Sequence, residues 1–146
     1  MLHRIPEGPV EAFARVWQTL GRDHLDQVDT LYHPDVVFAD PSGELHGRDR
    51  FKAHLATLYQ NVDECHFELG VPIGTPPHWA QPWVMTLRHP KLAGGKPVRV
   101  EGISELRCQE GLITHHRDYF DMGQMLYEQV PVLGPATRWL KARMSP

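Results

Sequence analysis

The sequence predicts an α+β fold, in which helices and strands occupy separate parts of the chain. Apolar residues recur at helical spacing in the first part, whereas the second half alternates apolar and polar residues as strands do. A short amphipathic pattern closes the chain. The predicted order is helices around one strand, then a strand meander, then a helical tail. That order differs from the strict alternation of a doubly wound parallel sheet.

The first part of the chain carries clear start and stop signals for its elements. Gly21 ends the first apolar helical pattern, and Asp23 is placed to cap a short second helix that His33-Pro34 stops. Pro41 ends the strand that follows. The predicted elements are a helix over 10–20, a short helix over 23–32, a strand over 36–40 and a third helix after Gly47.

The second half reads as a meander of strands with a helical end. Gln109-Glu110-Gly111 is a tight hairpin turn between the last two strands, and Pro82 indicates an edge or a bulge in an earlier strand. Residues 72–78 and 89–97 are predicted as loops. The predicted elements are strands over 65–71, 79–89, 98–108 and 112–121, and helical stretches over 122–129 and 135–143.

Length, charge and composition exclude several classes of protein. A chain of 146 residues with 41% hydrophobic and 23% charged residues fits one packed domain. The net charge of −3 gives no basis for a nucleic-acid partner, because phosphate binding needs clustered Lys and Arg. No apolar run approaches the ~20 residues of a membrane span, and the N-terminus lacks the apolar core of a signal peptide. A cytoplasmic protein without membrane association is therefore expected.

The residue types that hold metals and cofactors form no recognisable motif. The 2 cysteines, Cys65 and Cys108, make no disulfide framework and no CxxC pair. The 10 histidines are scattered, and the adjacent pair His115-His116 would point to opposite faces of a strand. We expect neither a metal nor a cofactor.

Three sequence segments together point to a known family. They are Phe-Ala-Asp-Pro at 38–41, His-Gly-Arg-Asp at 46–49 and Gly-Leu-Ile-Thr-His-His-Arg-Asp-Tyr-Phe-Asp at 111–121. In this order the chain resembles the nuclear transport factor 2-like superfamily, which includes ketosteroid isomerases, limonene epoxide hydrolases and SnoaL-like polyketide cyclases. The resemblance implies a cone-shaped fold, in which a curved mixed sheet wraps around a long N-terminal helix. It implies a single domain over 1–146, with a core at about 9–125 and a helical tail over 126–146.

The resemblance also selects the strand faces that would line the cavity of the cone. An Asp in the Arg-Asp-Tyr-Phe-Asp context of the epoxide hydrolases faces the cavity and matches Asp118, which shares its strand face with Thr114, His116 and Phe120. The same matching turns Val100, Gly102, Ser104 and Leu106 inward, together with Trp83, Met85 and Leu87. The residues predicted to bind a substrate are Trp17, Tyr32, Trp83, Met85, Leu87, Val100, Ser104, Leu106 and Phe120.

The catalytic candidates are Asp118, Asp40 and His116. His116 and Asp118 are two apart on one strand, so they can share a proton or a water. Asp40 matches the proton-shuttling base of the isomerases, and an apolar surrounding makes a carboxylate a better proton acceptor. Its alternative role is a turn carboxylate that bonds to its own backbone, as Asp residues often do.

Other positions of the family patterns differ in this chain. The oxyanion donors of the isomerases match Val16 and Ser104, and the loss of one such donor costs about 3–4 kcal/mol of transition-state stabilisation. The Arg and the second Asp of the epoxide hydrolases match Met85 and Leu87. The polyketide cyclases need less, since an Asp and a shaped apolar pocket suffice. The family therefore implies a cofactor-free isomerase, cyclase or hydrolase for an apolar polyketide-, steroid- or terpenoid-like substrate.

Two alternatives to catalysis stay open. The first is a non-catalytic ligand-binding module, and the second is a dimerisation module that pairs through the outer sheet face. A homodimer is expected, because that face mixes polar and apolar residues as moderately polar interfaces do. The outer-face residues are Arg99, Glu101, Ile103, Glu105, Arg107, His115, Arg117 and Tyr119. The amphipathic tail is predicted to cap the cone, with a dimer contact as its main alternative role and membrane association as a minor one.

Overall fold

One mixed sheet of seven strands forms the frame of the protein, in a computed structural model that describes residues 7–131 and 133–146. Short 3-10 helices lie at Arg22–Gln27, Ala93–Gly95 and Tyr127–Gln129. The other elements are α1 (Pro9–Thr19), α2 (Val28–Leu31), β1 (Tyr32–Asp40), β2 (Gly43–His46), α3 (Arg48–Asn61), β3 (Glu64–Leu69), β4 (Ile73–Thr75), β5 (His78–Arg88), β6 (Val98–Gln109), β7 (Leu112–Phe120), α4 (Met122–Met125) and α5 (Leu133–Met144).

The sheet runs in the order β2-β1-β7-β6-β5-β3, and β4 pairs with β5. The β1–β7 pair is parallel, and the other pairs are antiparallel. The open, curved sheet wraps around α1 and gives the cone shape of the predicted fold. The α+β prediction is thereby confirmed.

The core lies between the inner face of the sheet and the helices. Strand alternation puts every second side chain of β5 inside, and α1 contributes residues at spacings of three and four. The ring of Phe38 on β1 stacks on Phe51 of α3 with centroids 4.5 Å apart, which joins the two elements. The main buried residues are Phe13, Val16, Trp17, Leu20, Tyr32, Phe51, Leu55, Tyr59, Trp79, Trp83, Met85, Leu87, Val98, Val100, Leu106 and Ile113.

The His-Gly-Arg-Asp segment has a structural role at the start of α3. Gly47 has a φ of 101°, a conformation that favours glycine, and its N–H donates to the Val36 carbonyl over 2.8 Å. The guanidinium of Arg48 donates to the carbonyls of Asp29 and Tyr32, each over 3.1 Å. These bonds tie the start of α3 to the junction between α2 and β1.

Two short strands were not predicted. β2 lies where a turn was expected after Pro41, and β4 lies inside the loop predicted over 72–78. The side chains of both are mostly exposed, so neither shows the alternation of buried residues that marks a strand in the sequence. The short second helix predicted over 23–32 is a 3-10 helix followed by one α-helical turn, and β1 already begins at Tyr32.

Pro82 lies where the edge of β5 has no continuous partner. The β3 ladder ends at the Leu69–Trp83 pair and the β4 ladder begins at Ile73–Ala80, so Pro82 faces the gap between them. Its carbonyl accepts from the Gly70 N–H over 2.9 Å, and its nitrogen points to the same side. The missing N–H therefore breaks no ladder bond, as the prediction of an edge or bulge position anticipates.

A bulge in the β6–β7 hairpin changes the predicted alternation at the start of β7. Cys108 pairs with Ile113 but Arg107 pairs with His115, which leaves Thr114 as the extra residue. Ile113 is consequently buried, and the Thr114 hydroxyl donates to the Arg107 carbonyl over 3.3 Å. The expectation that Thr114 shares the inner face with His116 was wrong for this reason.

The tail is helical, but most of its side chains do not pack on the domain. In α5, Gly134 is buried and Thr137 is half-buried, whereas Trp139 and Leu140 are 58% and 55% exposed. Among the helices of the described residues, none is long and apolar enough to cross a membrane.

Candidate functional site

A continuous hydrogen-bond chain runs through the interior of the cone. The Trp17 indole N–H donates to the Tyr32 hydroxyl over 3.0 Å, and that hydroxyl lies 2.8 Å from Nδ1 of His116. Nε2 of His116 lies 2.7 Å from Oδ1 of Asp118. On the other side of Asp118, the Ser104 hydroxyl donates to the same Oδ1 over 2.5 Å, and the Trp83 indole N–H donates to Ser104 Oγ over 2.8 Å.

Five elements bring these side chains together. Trp17 comes from α1 and Tyr32 from the first residue of β1. His116 and Asp118 are two apart on β7, so they share its inner face. Ser104 lies directly opposite Asp118 in the β6–β7 ladder, while Trp83 on β5 reaches Ser104 from the next strand. The site is thus built on paired strands rather than on loops.

An ionised Asp118 and a neutral His116 imidazole give every bond in the chain one consistent direction. An indole N–H can only donate, so the Tyr32 oxygen accepts from Trp17, and its own hydrogen goes to Nδ1 of His116. The imidazole then carries its hydrogen on Nε2 and donates it to Asp118. Ser104 accepts from Trp83 and donates to Asp118. All the donors therefore point towards one carboxylate oxygen, Oδ1 of Asp118, and leave Oδ2 of that carboxylate without a bond from the described part of the chain.

Burial supports this direction at its inner end. Tyr32 is fully buried, and burial raises the pKa of Tyr32 well above its ordinary value, so the phenol keeps its hydrogen. The His116 side chain is 1% exposed and the Asp118 side chain 18%. The His116 ring stacks on Tyr32 at 5.8 Å and has Phe13, Trp17 and Phe38 around it at 5.1–5.7 Å. Asp118 is thus the most exposed member of the network.

Asp118 is one of the residues that line a small interior cavity. Its volume is about 10 Å³, roughly one water molecule. The cavity is lined by Phe13, Trp17, Phe67, Leu69, Trp83, Ser104, His116 and Asp118. Of these, Phe67, Leu69 and Asp118 are half-buried, so the cavity lies nearest to solvent on their side. The sequence predicted a roomier apolar cup, but large aromatic side chains fill most of that space.

Asp40 does not join this site. Its Oδ1 accepts from the Ser42 N–H over 2.8 Å and from the Ser42 hydroxyl over 2.5 Å, which makes it a turn carboxylate. It borders a separate hollow together with Phe38, Glu44 and His54. The structure therefore separates Asp40 from the other two catalytic candidates, Asp118 and His116, because Pro41 and Gly43 turn the chain into β2 directly after Asp40.

The predicted substrate-binding residues fall into three groups. Trp17, Trp83 and Ser104 line the cavity beside Asp118. Tyr32 lies behind His116, and Phe120 packs against Trp83 with ring centroids 6.1 Å apart. The remaining four, Met85, Leu87, Val100 and Leu106, are buried in the core and do not line the cavity.

Three lining residues were missed in the sequence. Phe13 lies one helical turn before Trp17 on α1, and Phe67 and Leu69 alternate on β3. The same periodicities that placed the other residues would have identified them, had β3 been assigned an inner face. The Trp17 and Phe67 rings meet edge to face at 5.3 Å, which closes one wall of the cavity.

The site offers no cluster of metal ligands. Within residues 7–131 and 133–146, no three or more His, Cys, Asp or Glu side chains are grouped so that they could hold a metal ion. The chemistry available at the site is therefore that of a carboxylate, an imidazole and hydroxyl groups.

Comparison with known proteins relates this architecture to others. A family model for the SnoaL-like domain matches residues 10–116. No curated protein matches the sequence. Many solved structures share the fold, and three of them illustrate its range. A nuclear transport factor 2-like protein of unknown function from Burkholderia pseudomallei is 16% identical, with 82% of this chain and 95% of that chain covered and a TM-score of 0.72.

The other two solved structures carry descriptions of a ligand or an activity. A protein from Catenulispora acidiphila with a ketosteroid isomerase-like fold, in complex with trimethylamine, is 21% identical over 86% of this chain and 95% of that chain, with a TM-score of 0.71. An LEH-like epoxide hydrolase from M. tuberculosis is 22% identical over 80% of this chain and 79% of that chain, with a TM-score of 0.64. At such identities the likeness shows the shared fold alone.

Proposed function

The chain belongs to the SnoaL-like domain family, and on that premise we propose that it binds a small apolar molecule beside Asp118 and acts on it by acid–base catalysis without a cofactor. The observation that carries the proposal is a carboxylate that lines an aromatic cavity, with one oxygen held by two donors and the other without a bond from the described part of the chain. Isomerase, cyclase and hydrolase chemistry all fit this description. Structural neighbours described as an epoxide hydrolase and as a trimethylamine complex show that other chains use this fold for small molecules.

Asp118 is the proposed base and His116 its partner. Oδ2 takes a proton from an acidic O–H or C–H of the substrate, and the protonated carboxyl returns it to another atom of the same molecule. His116 and Ser104 donate to Oδ1, so they stabilise the charged carboxylate and hold its orientation before and after the transfer. Every hydrogen removed from the substrate is given back, so this step needs no oxidant or reductant.

The same hydrogen-bond network limits the class of substrate that the site can turn over. All side-chain donors that line the cavity already donate within the protein, so none of them is free to stabilise an oxyanion. A substrate that delocalises its own negative charge, such as a polyketide-like β-dicarbonyl, needs no such donor. We therefore place a polyketide-like substrate ahead of a simple steroid ketone.

The tight interior favours one alternative function. A cavity of about 10 Å³ admits a ligand only if aromatic side chains move, which suits a binding module that opens for its ligand as well as it suits an enzyme. In that case ligands would stabilise the protein against heat without being converted, because binding to the folded state always raises its stability.

The proposal is tested with a ligand screen and one matched pair of variants. Steroids, terpenoid epoxides and aromatic polyketide mimics are screened by thermal shift and then for conversion. Asp118→Asn should reduce turnover about 10²–10⁴-fold, the usual contribution of a general base. Asp40→Asn is the control, because Asp40 lies in a separate hollow and should leave turnover unchanged.

Each outcome of the screen has a definite meaning. If compounds stabilise the protein and none of them is converted, the result would support the binding module over the enzyme. Turnover that survives Asp118→Asn would remove Asp118 as the base. If no compound in the three classes stabilised the protein, the proposed small-molecule site itself would be wrong.

We also propose that two copies of the chain pair through the outer face of the sheet. Ile73 and Tyr119 are 59% and 46% exposed there and border a hollow of about 340 Å³ with Ile103 and Glu105. Exposed apolar groups beside charges of both signs are typical of an interface between copies.

A further inference from the structure

The polar side chains that line the cavity differ in whether they are free to bond a ligand. Four side-chain donors belong to lining residues: the two indole N–H groups of Trp17 and Trp83, the hydroxyl of Ser104 and Nε2–H of His116. Each already donates to an acceptor of the protein, at 2.5–3.0 Å. The charged atom that has no protein partner in the described chain is Oδ2 of Asp118. The cavity therefore presents a strong acceptor and no free side-chain donor.

From this polarity we infer that the site selects apolar molecules that carry an O–H or N–H donor, and discriminates against molecules of the same shape that carry only an acceptor. The inference rests on the proposed function, since it names the class of molecule that the site beside Asp118 takes. A ligand that covers Oδ2 removes its water. A donor on the ligand replaces that water, whereas a carbonyl or ether oxygen leaves the carboxylate oxygen unpaired, which is costly in a buried place.

Asparagine at position 118 should reverse this selection. The amide oxygen is the acceptor that the Ser104 hydroxyl and His116 Nε2–H both require, so these two donors fix the orientation of the amide. The amide NH₂ then occupies the position of Oδ2, the atom that has no protein partner in the described chain. The variant keeps the internal hydrogen-bond chain but offers the ligand a donor in place of an acceptor. A role of Asp118 in folding alone predicts no such reversal.

Three compounds with one carbon skeleton test the selection. The probes are 1-phenylethanol as the O–H donor, 1-phenylethylamine as the N–H donor and acetophenone as the acceptor-only form. Their binding to wild-type protein is measured by NMR titration of the backbone amides around 104 and 118. The alcohol and the ammonium should each bind roughly tenfold or more tighter than the ketone, as the loss of one hydrogen bond to a charged group implies. The ratio of the affinities for 1-phenylethanol and 1-phenylethylamine shows whether the site prefers an O–H or an N–H donor.

The same titrations on Asp118→Asn should place acetophenone ahead of the ammonium. The ranking on wild-type protein needs no variant, so the inference stays testable even if Asp118→Asn fails to fold. Long-range ¹H–¹⁵N NMR of His116 without ligand provides the independent readout, because the assigned neutral tautomer carries the ring hydrogen on Nε2 in both proteins.

The outcomes separate this inference from the function on which it rests. If all three compounds bind equally, or the ketone binds best to wild-type protein, the selection is wrong while a small-molecule site remains. A hydrogen on Nδ1 of His116 in wild-type protein would overturn the assigned tautomer and the selection with it. If none of the three compounds binds at millimolar concentration, the site beside Asp118 and the inference both fail.

Discussion

Gly102 lies opposite Trp83 in the β5–β6 ladder, and the indole ring lies over its backbone. A Cβ atom at Gly102 would lie 2.5 Å from Cζ2 and 2.7 Å from Cζ3 of that ring, closer than such atoms can approach. The missing side chain thus makes room for the indole that lines the cavity and donates to Ser104. Gly102 on β6 thus allows the Trp83 indole of the neighbouring strand β5 to form one wall of the cavity.

Gly102→Ala should accordingly destabilise the protein by about 1–3 kcal/mol, the usual cost of overpacking a filled interior. The indole has to leave its position, so the Trp83–Ser104 hydrogen bond should weaken as well. Urea unfolding measures the first effect, and the chemical shift of the Trp83 indole N–H measures the second. Gly21→Ala is the matched control, because a Cβ there meets nothing within 4 Å. An unchanged unfolding midpoint for Gly102→Ala would contradict this close packing of the indole on β6.

The positions of Asp40 and Asp118 differ in how well the sequence predicted them. Both belong to a motif typical of the family, and both were candidates for a base. Alternation along β7 put Asp118 and His116 on one face, and the family resemblance identified that face as the inner one. The position of Asp40 depends on the turn into β2, an edge strand with almost no sequence signal. Local periodicity and the family resemblance together predicted one half of the candidate site, whereas the turn after Asp40 moved the other half away.

At the scale of elements, α5 is attached to the domain mainly by polar contacts. Nζ of Lys141 lies 2.6 Å from Oδ2 of Asp121 and 3.3 Å from Oε2 of Glu128. Asp121 also caps α4, since its Oδ1 accepts from the Gly123 N–H over 2.8 Å. The hydrogen bond from Lys141 lowers the pKa of Asp121, and the bond to Asp121 raises the pKa of Lys141. The attachment of this helix should therefore depend on pH.

The signs give the pH window of that attachment. A lowered carboxyl pKa contributes stability that is complete above the ordinary Asp value and is lost as the pH falls through the lowered one. A raised Lys pKa contributes stability below the ordinary Lys value and loses it as the pH rises through the raised one. Amide hydrogen exchange of residues 133–144, corrected for the intrinsic rate, should thus show the highest protection between these limits.

Asp121→Asn provides the matched variant, because the amide oxygen can still cap α4 while the charge is removed. After correction for the intrinsic exchange rate, the α5 amides of this variant at neutral pH should be as weakly protected as those of wild-type protein in acid. The protection of the β6 amides should not change. Protection of α5 that is the same in both proteins and at both pH values would show that the Lys141–Asp121 pair does not hold the helix.

At the scale of the whole molecule, the sequence predicted the architecture well and the interior volume poorly. Strand alternation with the family resemblance put Trp83 and Met85 on the inner face of β5, and both are buried there. The space left inside the cone depends on rings contributed by different elements, such as Trp17 from α1 and Phe67 from β3, which meet at 5.3 Å. No local pattern reports how such side chains from distant segments share one volume. The short strands β2 and β4 were not predicted, because their exposed side chains give no alternation of apolar and polar residues.

The outer face of the sheet is where the molecule as a whole is expected to meet a second copy. Arg117 lies over the Tyr119 ring at 5.0 Å, and Arg99 pairs with Glu101 over 3.0 Å, so cations and carboxylates are interspersed around the apolar positions. Two such faces related by a two-fold axis can bring Arg of one copy to Glu of the other while they cover Ile103 and Tyr119.

Sedimentation velocity across a range of concentrations should therefore find a dimer, and Ile103→Glu should weaken it about tenfold or more, since a charge is placed among buried apolar groups. Leu140→Glu is the control that separates the two candidate interfaces, because Leu140 is 55% exposed on α5, far along the chain from the sheet face. A dimer that dissociates with Leu140→Glu but persists with Ile103→Glu would assign the contact to the tail. A wild-type chain that remains monomeric at high micromolar concentration would exclude both interfaces and leave each cavity to function within a single copy.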